Sequence, residues 1–242
     1  MKQVNLTIVS QKQIADAVME MRLAGDVSGI TASGQFVNIL VEGLFLRRPI
    51  SVCDYDENGL TLVYKIVGEG TKLLAAYPDG TVLDVLTGLG NGYDLSLSGD
   101  TPLLLGGGVG VPPLYHLCKT LIAEGKHPTV VLGFNRKTDV FYEEEFKALG
   151  AAVTVTTADG SYGTKGFVTD ALPSEYSYFY TCGPEPMLKA VFAATKTSGQ
   201  FSFEERMGCG FGACMGCSCK TVTGYKRICK EGPVLTKEEI LW

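Results

Sequence analysis

The sequence predicts three structural units in a row: an all-β domain, an α/β domain and a small cysteine-rich module. Short strand-like runs separated by turn residues fill residues 1–98. Strand-like and helix-like segments then alternate over residues 99–200. Five of the eight cysteines lie between residues 209 and 229, within the last segment, 201–242. At 242 residues the chain is long enough for two modest domains and such a module.

The composition excludes several classes of protein. Hydrophobic residues make up 45% and charged residues 19%, as in an ordinary globular protein. A net charge of −5 argues against a nucleic-acid partner. No apolar run approaches the ~20 residues of a membrane span, and the N-terminal residues do not resemble a secretory signal. We therefore expect a cytoplasmic protein without a membrane partner. The chain has only two histidines, which argues against catalysis by imidazole bases, so we assign no catalytic residue.

The first unit is predicted to be a small antiparallel barrel or sandwich. Its strand-like runs cover residues 4–9, 34–41, 50–53 and 60–67. A run of Arg48, Pro49, Ile50 and Ser51 is expected to precede a strand. An arginine there can bind a pyrophosphate and a serine can reach a ring nitrogen, although an ordinary strand end is the alternative. The end of the run 60–67, at residues 64–67, is expected to lead into a second glycine turn at Gly68–Thr71.

The second unit is predicted to be a doubly wound sheet. Strands are expected at 102–105, 129–134, 153–156 and 176–182, and helices at 112–124, 143–149 and 186–194. Gly108 and Gly110 lie in a glycine-rich turn between the first strand and its helix, where a pyrophosphate can bind helix N–H groups. The turn is not a G-x-G-x-x-G fingerprint, and a tight structural turn is the alternative. Cys182 ends the last strand at the same sheet edge, which favours a nicotinamide-site role over that of a buried small residue.

The cysteine cluster is the most specific signal in the sequence. Cys209, Cys214 and Cys217 have the spacing C-x4-C-x2-C, and Cys229 follows after eleven residues. This is the plant-type arrangement for a [2Fe–2S] cluster, and the glycines between the ligands let backbone N–H groups turn toward sulfur. A structural zinc site is the alternative, but it usually needs two C-x2-C pairs. Cys219 is a surplus thiol that either packs in the core or replaces Cys217 as a ligand.

Taken together, these motifs mark a resemblance. The order Arg-Pro-Ile-Ser, Gly-Val-Gly-Val-Pro-Pro and Cys-Gly-Pro-Glu-Pro-Met resembles the ferredoxin–NADP reductase superfamily over nearly 200 residues. With the stretch from Glu204 to Cys217 and the tail from Cys229, the whole chain resembles the electron-transfer subunits of NAD-linked (class B) dihydroorotate dehydrogenases.

The resemblance implies a fold and a set of cofactors. The β-barrel would bind FAD, the α/β domain NAD, and the four cysteines a [2Fe–2S] cluster. Arg48, Pro49 and Ser51 would hold the flavin, with Ile50 standing where an aromatic residue is usual. The rest of the FAD site would be lined by Val63, Tyr64, Lys65, Ile66, Gly70 and Thr71. Gly108 and Gly110 would contact the nicotinamide nucleotide.

The resemblance also implies a partner, an FMN-containing catalytic subunit that oxidises dihydroorotate in pyrimidine biosynthesis, in a heterotetramer. Electrons would run from FMN through the cluster and FAD to NAD⁺. One alternative is the small subunit of a sulfide dehydrogenase or of a ferredoxin:NAD(P) oxidoreductase. Another is a nucleotide-binding regulator that has a structural zinc site and no redox activity. The preference for NAD or NADP stays open, because Arg136 and Lys137 could bind a 2′-phosphate while Asp139 argues against it.

Overall fold

Six antiparallel strands close into a barrel in the computed structural model, which describes residues 1–242. Their order around the barrel is β1-β2-β5-β4-β3-β6. The bounds are β1 Lys2–Ala15, β2 Val18–Ala24, β3 Phe36–Ile39, β4 Arg48–Asp56, β5 Gly59–Lys65 and β6 Val82–Leu89. Alternate residues such as Leu6, Ile8, Met21 and Leu23 fill the interior, as the two-residue period of a strand requires. The predicted all-β first domain is confirmed as a barrel.

Helix α1, Glu69–Ala76, lies between β5 and β6. The predicted glycine turn at residues 68–71 is therefore wrong, because the helix begins directly after Gly68. The Thr71 hydroxyl accepts hydrogen bonds from the backbone N–H groups of Val67 at 3.0 Å and Gly68 at 3.3 Å. These bonds close the chain into a first helical turn.

A seven-stranded sheet with order β10-β9-β8-β7-β11-β12-β15 forms the second unit. Its strands are β7 Leu103–Gly107, β8 Thr129–Phe134, β9 Ala152–Thr157, β10 Thr164–Lys165, β11 Phe179–Cys182, β12 Gly199–Ser202 and β15 Val234–Thr236. Its helices are α2 Pro113–Ala123, α3 Glu143–Ala148 and α4 Glu185–Ala194. The pairings from β10 to β12 are parallel, which confirms the doubly wound prediction. Strand order reverses at β7, so the carboxyl ends of β7 and β11 border the crevice where ligands bind in such sheets.

The cysteine-rich segment is joined closely to the sheet. A hairpin of β13, Ser218–Thr221, and β14, Gly224–Arg227, is followed by β15, which pairs antiparallel with β12. The expected division after residue 200 falls inside β12. The last residues thus complete the edge of the α/β sheet as well as carrying the cysteines.

Buried apolar clusters join the three units. One cluster combines Cys53 and Val63 of the barrel with residues of α2 and the sheet. Another combines Phe36 and Leu89 of the barrel with Ile228 beside the last cysteine of the set. The units therefore pack directly on one another. None of the four α-helices has the length and apolar character that a membrane span requires.

Candidate functional site

The Arg-Pro-Ile-Ser run forms the beginning of β4, so the expectation that it precedes a strand is wrong. Its two neighbouring arginines differ in their partners. Arg47 pairs with the Asp84 carboxylate, Nη1 to Oδ1, at 2.9 Å and donates to the Asn38 carbonyl at 3.3 Å. Arg48 has no carboxylate partner and donates only to the carbonyls of Leu46 and of Arg47. Arg48 is therefore the arginine whose charge is free to bind an anion.

Arg48 lies against the first turn of α1. A methyl group added to Gly70 would come within 1.8 Å of the Arg48 Nε atom. Only glycine at position 70 lets the guanidinium approach this closely. The side chain and the helix N-terminus thus face the same space, and both favour negative charge. This arrangement has the chemistry of a pyrophosphate site.

The residues of β5 face in different directions. Val63 packs on the α/β domain, whereas Tyr64 lies inside the barrel and donates its hydroxyl to Gln11 Oε1 at 2.7 Å. Burial raises the pKa of Tyr64. Lys65 is exposed at the end of the strand, and Ile66 is half-buried after it. The Tyr64 side chain thus lies in the barrel interior, whereas the Val63 side chain points out of it.

Two glycine loops meet at the carboxyl ends of β7 and β11. A methyl group on Gly110 would lie 2.3 Å from the carbonyl oxygen of Cys182, and one on Gly107 would lie 2.3 Å from Met187 Sδ. Gly108 has a φ of +52°, and no atom lies within 4 Å of its missing Cβ. The structure thus brings Gly108, Gly110 and Cys182 together at one crevice. The open backbone at Gly108 fits a nucleotide phosphate.

Cys182 is not a nucleophile in this setting. Burial raises the pKa of its thiol to about 12, although a hydrogen bond with Ser202 opposes the shift. The thiol therefore stays protonated at neutral pH and acts as a small lining group.

Backbone N–H groups point at the sulfurs of the cysteine loop. Ala213 N–H donates to Cys209 Sγ at 3.2 Å, and Cys209 N–H donates to Cys214 Sγ at 3.5 Å. Burial opposes ionisation of Cys209, but hydrogen bonds from the loop backbone, led by Phe211 N–H, lower its pKa to about 6. Donors aimed at sulfur stabilise the thiolate form that a metal requires.

The other two predicted ligands form a second, buried pair. Cys229 N–H donates to Cys217 Sγ at 3.4 Å. Burial, with Cys217 as neighbour, raises the pKa of Cys229 to about 12. The four thiols are thus arranged as Cys209 with Cys214 and Cys217 with Cys229.

This donor set fits a [2Fe–2S] cluster. Each iron of a [2Fe–2S] cluster needs only two protein thiolates, because bridging sulfides complete its ligands. Cys219 lies on β13, lines a separate cavity of about 470 Å³ and makes no hydrogen bond with another cysteine. The structure therefore does not bring Cys219 into the set of four.

Comparison with known proteins agrees with this geometry. Residues 204–241 match the iron–sulfur cluster binding domain of dihydroorotate dehydrogenase B, and residues 104–192 match the oxidoreductase NAD-binding domain. The dihydroorotate dehydrogenase B (NAD⁺) electron transfer subunit of Bacillus pumilus is 47% identical, with 99% of this chain and 98% of that one covered. The same subunit of Lysinibacillus sphaericus is 48% identical, with 98% and 97% covered. The chain belongs to the family of dihydroorotate dehydrogenase B electron transfer subunits.

Solved structures agree with that family. The structure of an NADH-dependent reduced ferredoxin-NADP oxidoreductase is similar with a TM-score of 0.89 and 31% identity, over 98% of this subunit and 90% of that chain. The Amycolatopsis cytochrome P450 reductase GcoB shares the fold, with a TM-score of 0.70 and 23% identity, over 79% of this subunit and 65% of that chain. The predicted family, fold, oxidoreductase class and iron–sulfur and NAD-binding units of this electron transfer subunit are confirmed. The predicted set of FAD, a [2Fe–2S] cluster and NAD agrees with them.

Sequence reasoning missed one residue at this site. Asn38 of β3 donates its Nδ2 to the Cys209 carbonyl at 3.2 Å. It belongs to no motif, and the available signal was a single amide within the apolar run Phe36–Val41. A polar residue in such a run, if buried, needs a partner.

Proposed function

We propose that this subunit passes electrons from an FMN-containing catalytic subunit, which oxidises dihydroorotate in pyrimidine biosynthesis, through a [2Fe–2S] cluster and FAD to NAD⁺. The proposal rests on the place where residues 209–217, called the cluster loop below, are attached to the barrel. Asn38 binds the Cys209 carbonyl and has Pro49 of the predicted flavin strand as its cross-strand partner. A flavin on β4 would therefore lie beside the first cluster cysteine.

The flavin supplies the link between two-electron hydride chemistry and one-electron cluster chemistry. The residues of the subunit would bind these groups and hold them in position. Arg48 and the N-terminus of α1 would hold the FAD pyrophosphate, with Ser51 at the ring. Gly108 and Gly110 would hold the nicotinamide nucleotide. Cys209, Cys214, Cys217 and Cys229 would hold the iron, and the loop N–H groups stabilise their negative charge.

The outer edge of the cluster loop supports a partner on that side. Cys214 is exposed, and beside it Phe211 and Met215 are 44% and 54% exposed. Exposed apolar side chains next to a redox centre favour contact with another protein. We extend the proposal to a heterotetramer of electron transfer and catalytic subunits in the cytoplasm.

The surroundings of Arg136 favour NAD over NADP. Its Nη2 pairs with Asp16 at 2.8 Å and its Nε with Asp139 at 3.3 Å. A guanidinium held by two carboxylates is poorly placed to receive a 2′-phosphate, because the phosphate would add negative charge to an acidic site.

An anaerobic NADH titration of the purified subunit, followed by visible absorbance, tests the proposal. We expect the flavin and cluster bands to bleach together. The matched variant is Gly110→Ala, whose methyl group would lie 2.3 Å from the Cys182 carbonyl oxygen and distort the nucleotide crevice. It should keep its colour and need much more NADH to bleach. A coloured wild-type protein that NADH does not bleach would contradict the nicotinamide assignment.

A second candidate is a ferredoxin:NAD(P) oxidoreductase subunit, which the 31% identical solved structure favours. The two functions differ in the larger partner. Co-purification with a dihydroorotate-oxidising flavoprotein supports the first, and reduction by ferredoxin in its absence supports the second. A colourless protein containing zinc would instead support a structural zinc site.

A further inference from the structure

Asn38 is a buried amide on the outer face of the barrel, under the cluster loop. Its side chain is 1% exposed. Its neighbours Val37 and Ile39 point into the barrel interior, so the strand period turns Asn38 outward. Pro49 lies directly opposite on β4, on the same face. Asn38 therefore stands between the predicted flavin strand and the cluster loop.

Contacts on both sides hold Asn38 in place. Its Nδ2 donates to the Cys209 carbonyl at 3.2 Å, while its own backbone carbonyl accepts from Arg47 Nη1 at 3.3 Å. The next loop residue, Gly210, packs directly on it, since a methyl group there would lie 2.4 Å from Nδ2. A side-chain hydrogen bond thus ties the first cluster cysteine to the barrel, in addition to its apolar contacts.

The other end of the amide shows that stability alone does not explain it. Asn38 Oδ1 is buried and has no hydrogen-bond partner within the protein. A buried unpaired acceptor is unfavourable, and a leucine of similar size would avoid it. What Asn38 adds over leucine is the hydrogen bond to the Cys209 carbonyl.

We propose that Asn38 is a positioning residue that fixes the cluster loop against the flavin strand and so sets the geometry of electron transfer between cluster and flavin. This inference rests on the proposed function, because it places the flavin on β4. The chain also provides a matched control. Asn91 ties the barrel to the far side of the cluster module, through Val234 and Glu231, with its side-chain Oδ1 and Nδ2 both paired.

The test compares Asn38→Leu, Asn38→Asp and Asn91→Leu with the wild-type subunit, each loaded with FAD and cluster. Asn38→Asp keeps the size of the side chain, and its ionised carboxylate cannot donate to the carbonyl. Hydrogen exchange at the Cys209–Ala213 amides and the EPR spectrum of the dithionite-reduced cluster report on the loop. Stopped-flow absorbance after mixing with NADH separates flavin reduction from cluster reduction.

Both Asn38 variants should exchange faster at these amides and give an altered EPR spectrum. Their flavin reduction should match wild type, while cluster reduction slows about fivefold, which corresponds to about 1 kcal/mol in activation free energy. Asn91→Leu should leave the EPR spectrum unchanged. Wild-type exchange and spectra in both Asn38 variants, or the same change in Asn91→Leu, would overturn the inference. Failure of the wild-type flavin to react with NADH would instead overturn the proposed function.

Discussion

The barrel meets its two neighbours through surfaces of different chemistry. Toward the α/β domain, ion pairs and side-chain hydrogen bonds lie beside a shared apolar cluster that includes Cys53 and Val63: the Tyr142 hydroxyl donates to Glu20 Oε2 at 2.9 Å, and Lys119 Nζ pairs with Asp54 Oδ2 at 3.0 Å. Toward the cluster module, Leu89 shares one buried apolar cluster with Ile228 and Cys229. Neutral amide hydrogen bonds supplement that apolar contact.

The difference indicates how each contact behaves. Partly exposed ion pairs contribute little and are screened by salt, so the polar part of the barrel–α/β contact weakens as ionic strength rises. Apolar packing depends on shape and not on charge, so the barrel–cluster contact responds less to salt. A contact that does not respond to salt suits electron transfer, which needs a constant distance between redox centres.

The largest effect is expected from the cluster thiols. Cys214→Ser removes a ligand from the exposed pair and should abolish the cluster EPR signal and electron transfer to NAD⁺. Dye reduction by the catalytic partner and bleaching of the flavin by NADH should persist. Retained NAD⁺ reduction in the complex would contradict the ligand assignment.

Cys217→Ser sharpens the comparison between the two pairs. It should also lose the cluster, but its hydroxyl would be buried in the apolar contact, where Cys217 is 2% exposed. We expect it to lower the free energy of unfolding by about 1–3 kcal/mol more than Cys214→Ser. Equal stability of the two cluster-free variants, in chemical denaturation, would argue against an apolar setting for Cys217.

Leu89→Ala tests the apolar contact directly. Leu89 is 3% exposed, and truncation of a buried leucine costs about 2–5 kcal/mol. Denaturant unfolding, followed through the cluster absorbance and the flavin, should show both signals lost at a lower midpoint. The control Leu97→Ala, at a side chain that is 51% exposed, should change stability by less than about 0.5 kcal/mol. A loss below about 1 kcal/mol in Leu89→Ala would contradict tight packing.

The sequence predicted the parts of the site that depend on local spacing. Cys209, Cys214 and Cys217 are close in the chain, and the strand–glycine–helix order around Gly108 fixes its place at the sheet edge. Both signals carry their chemistry within a short segment. For the same reason they could be recognised without knowledge of the rest of the fold.

Features that depend on distant contacts were not predictable. Strand β15 is three residues long and exists because the edge of β12 offers it partners. Helix α1 replaced an expected turn because Thr71 closes the first turn through its side chain. Asn38 has no motif, and its role depends on a loop that lies 171 residues later in the chain.

Tyr142→Phe should produce a smaller effect, on the polar contact. Tyr142 is buried, and removal of its hydroxyl leaves Glu20 paired with Lys12 at 3.0 Å. We expect a loss of about 0.5–1.5 kcal/mol in the free energy of unfolding, with an unchanged cluster EPR spectrum. Tyr225→Phe is the control, since Tyr225 is 71% exposed. An altered cluster spectrum in Tyr142→Phe would show that the two contacts are not independent.

The smallest effect is expected from pH, through His116. Nδ1 of this α2 residue shares a hydrogen bond with Ser33 Oγ at 2.7 Å, and its ring stacks on Tyr55 of the barrel. Burial lowers the pKa of His116; Asp54 opposes the shift and Lys119 adds to it. The folded state therefore binds a proton less readily than the unfolded state, whose histidine has a pKa of about 6.5. The contribution of His116 to the free energy of unfolding is therefore greatest above the unfolded-state pKa and declines as the pH falls through that pKa.

A matched variant isolates this contribution from the carboxylates, which titrate at lower pH. His116→Gln should reduce the fall in melting temperature between pH 7 and pH 5.5. An unchanged fall would contradict a role for His116. Over the same range, amide exchange in the cluster loop, corrected for its intrinsic pH dependence, should not change, because Leu89 and Ile228 carry no titratable group. A pH response confined to the barrel–α/β contact would show that the two surfaces of the barrel act separately.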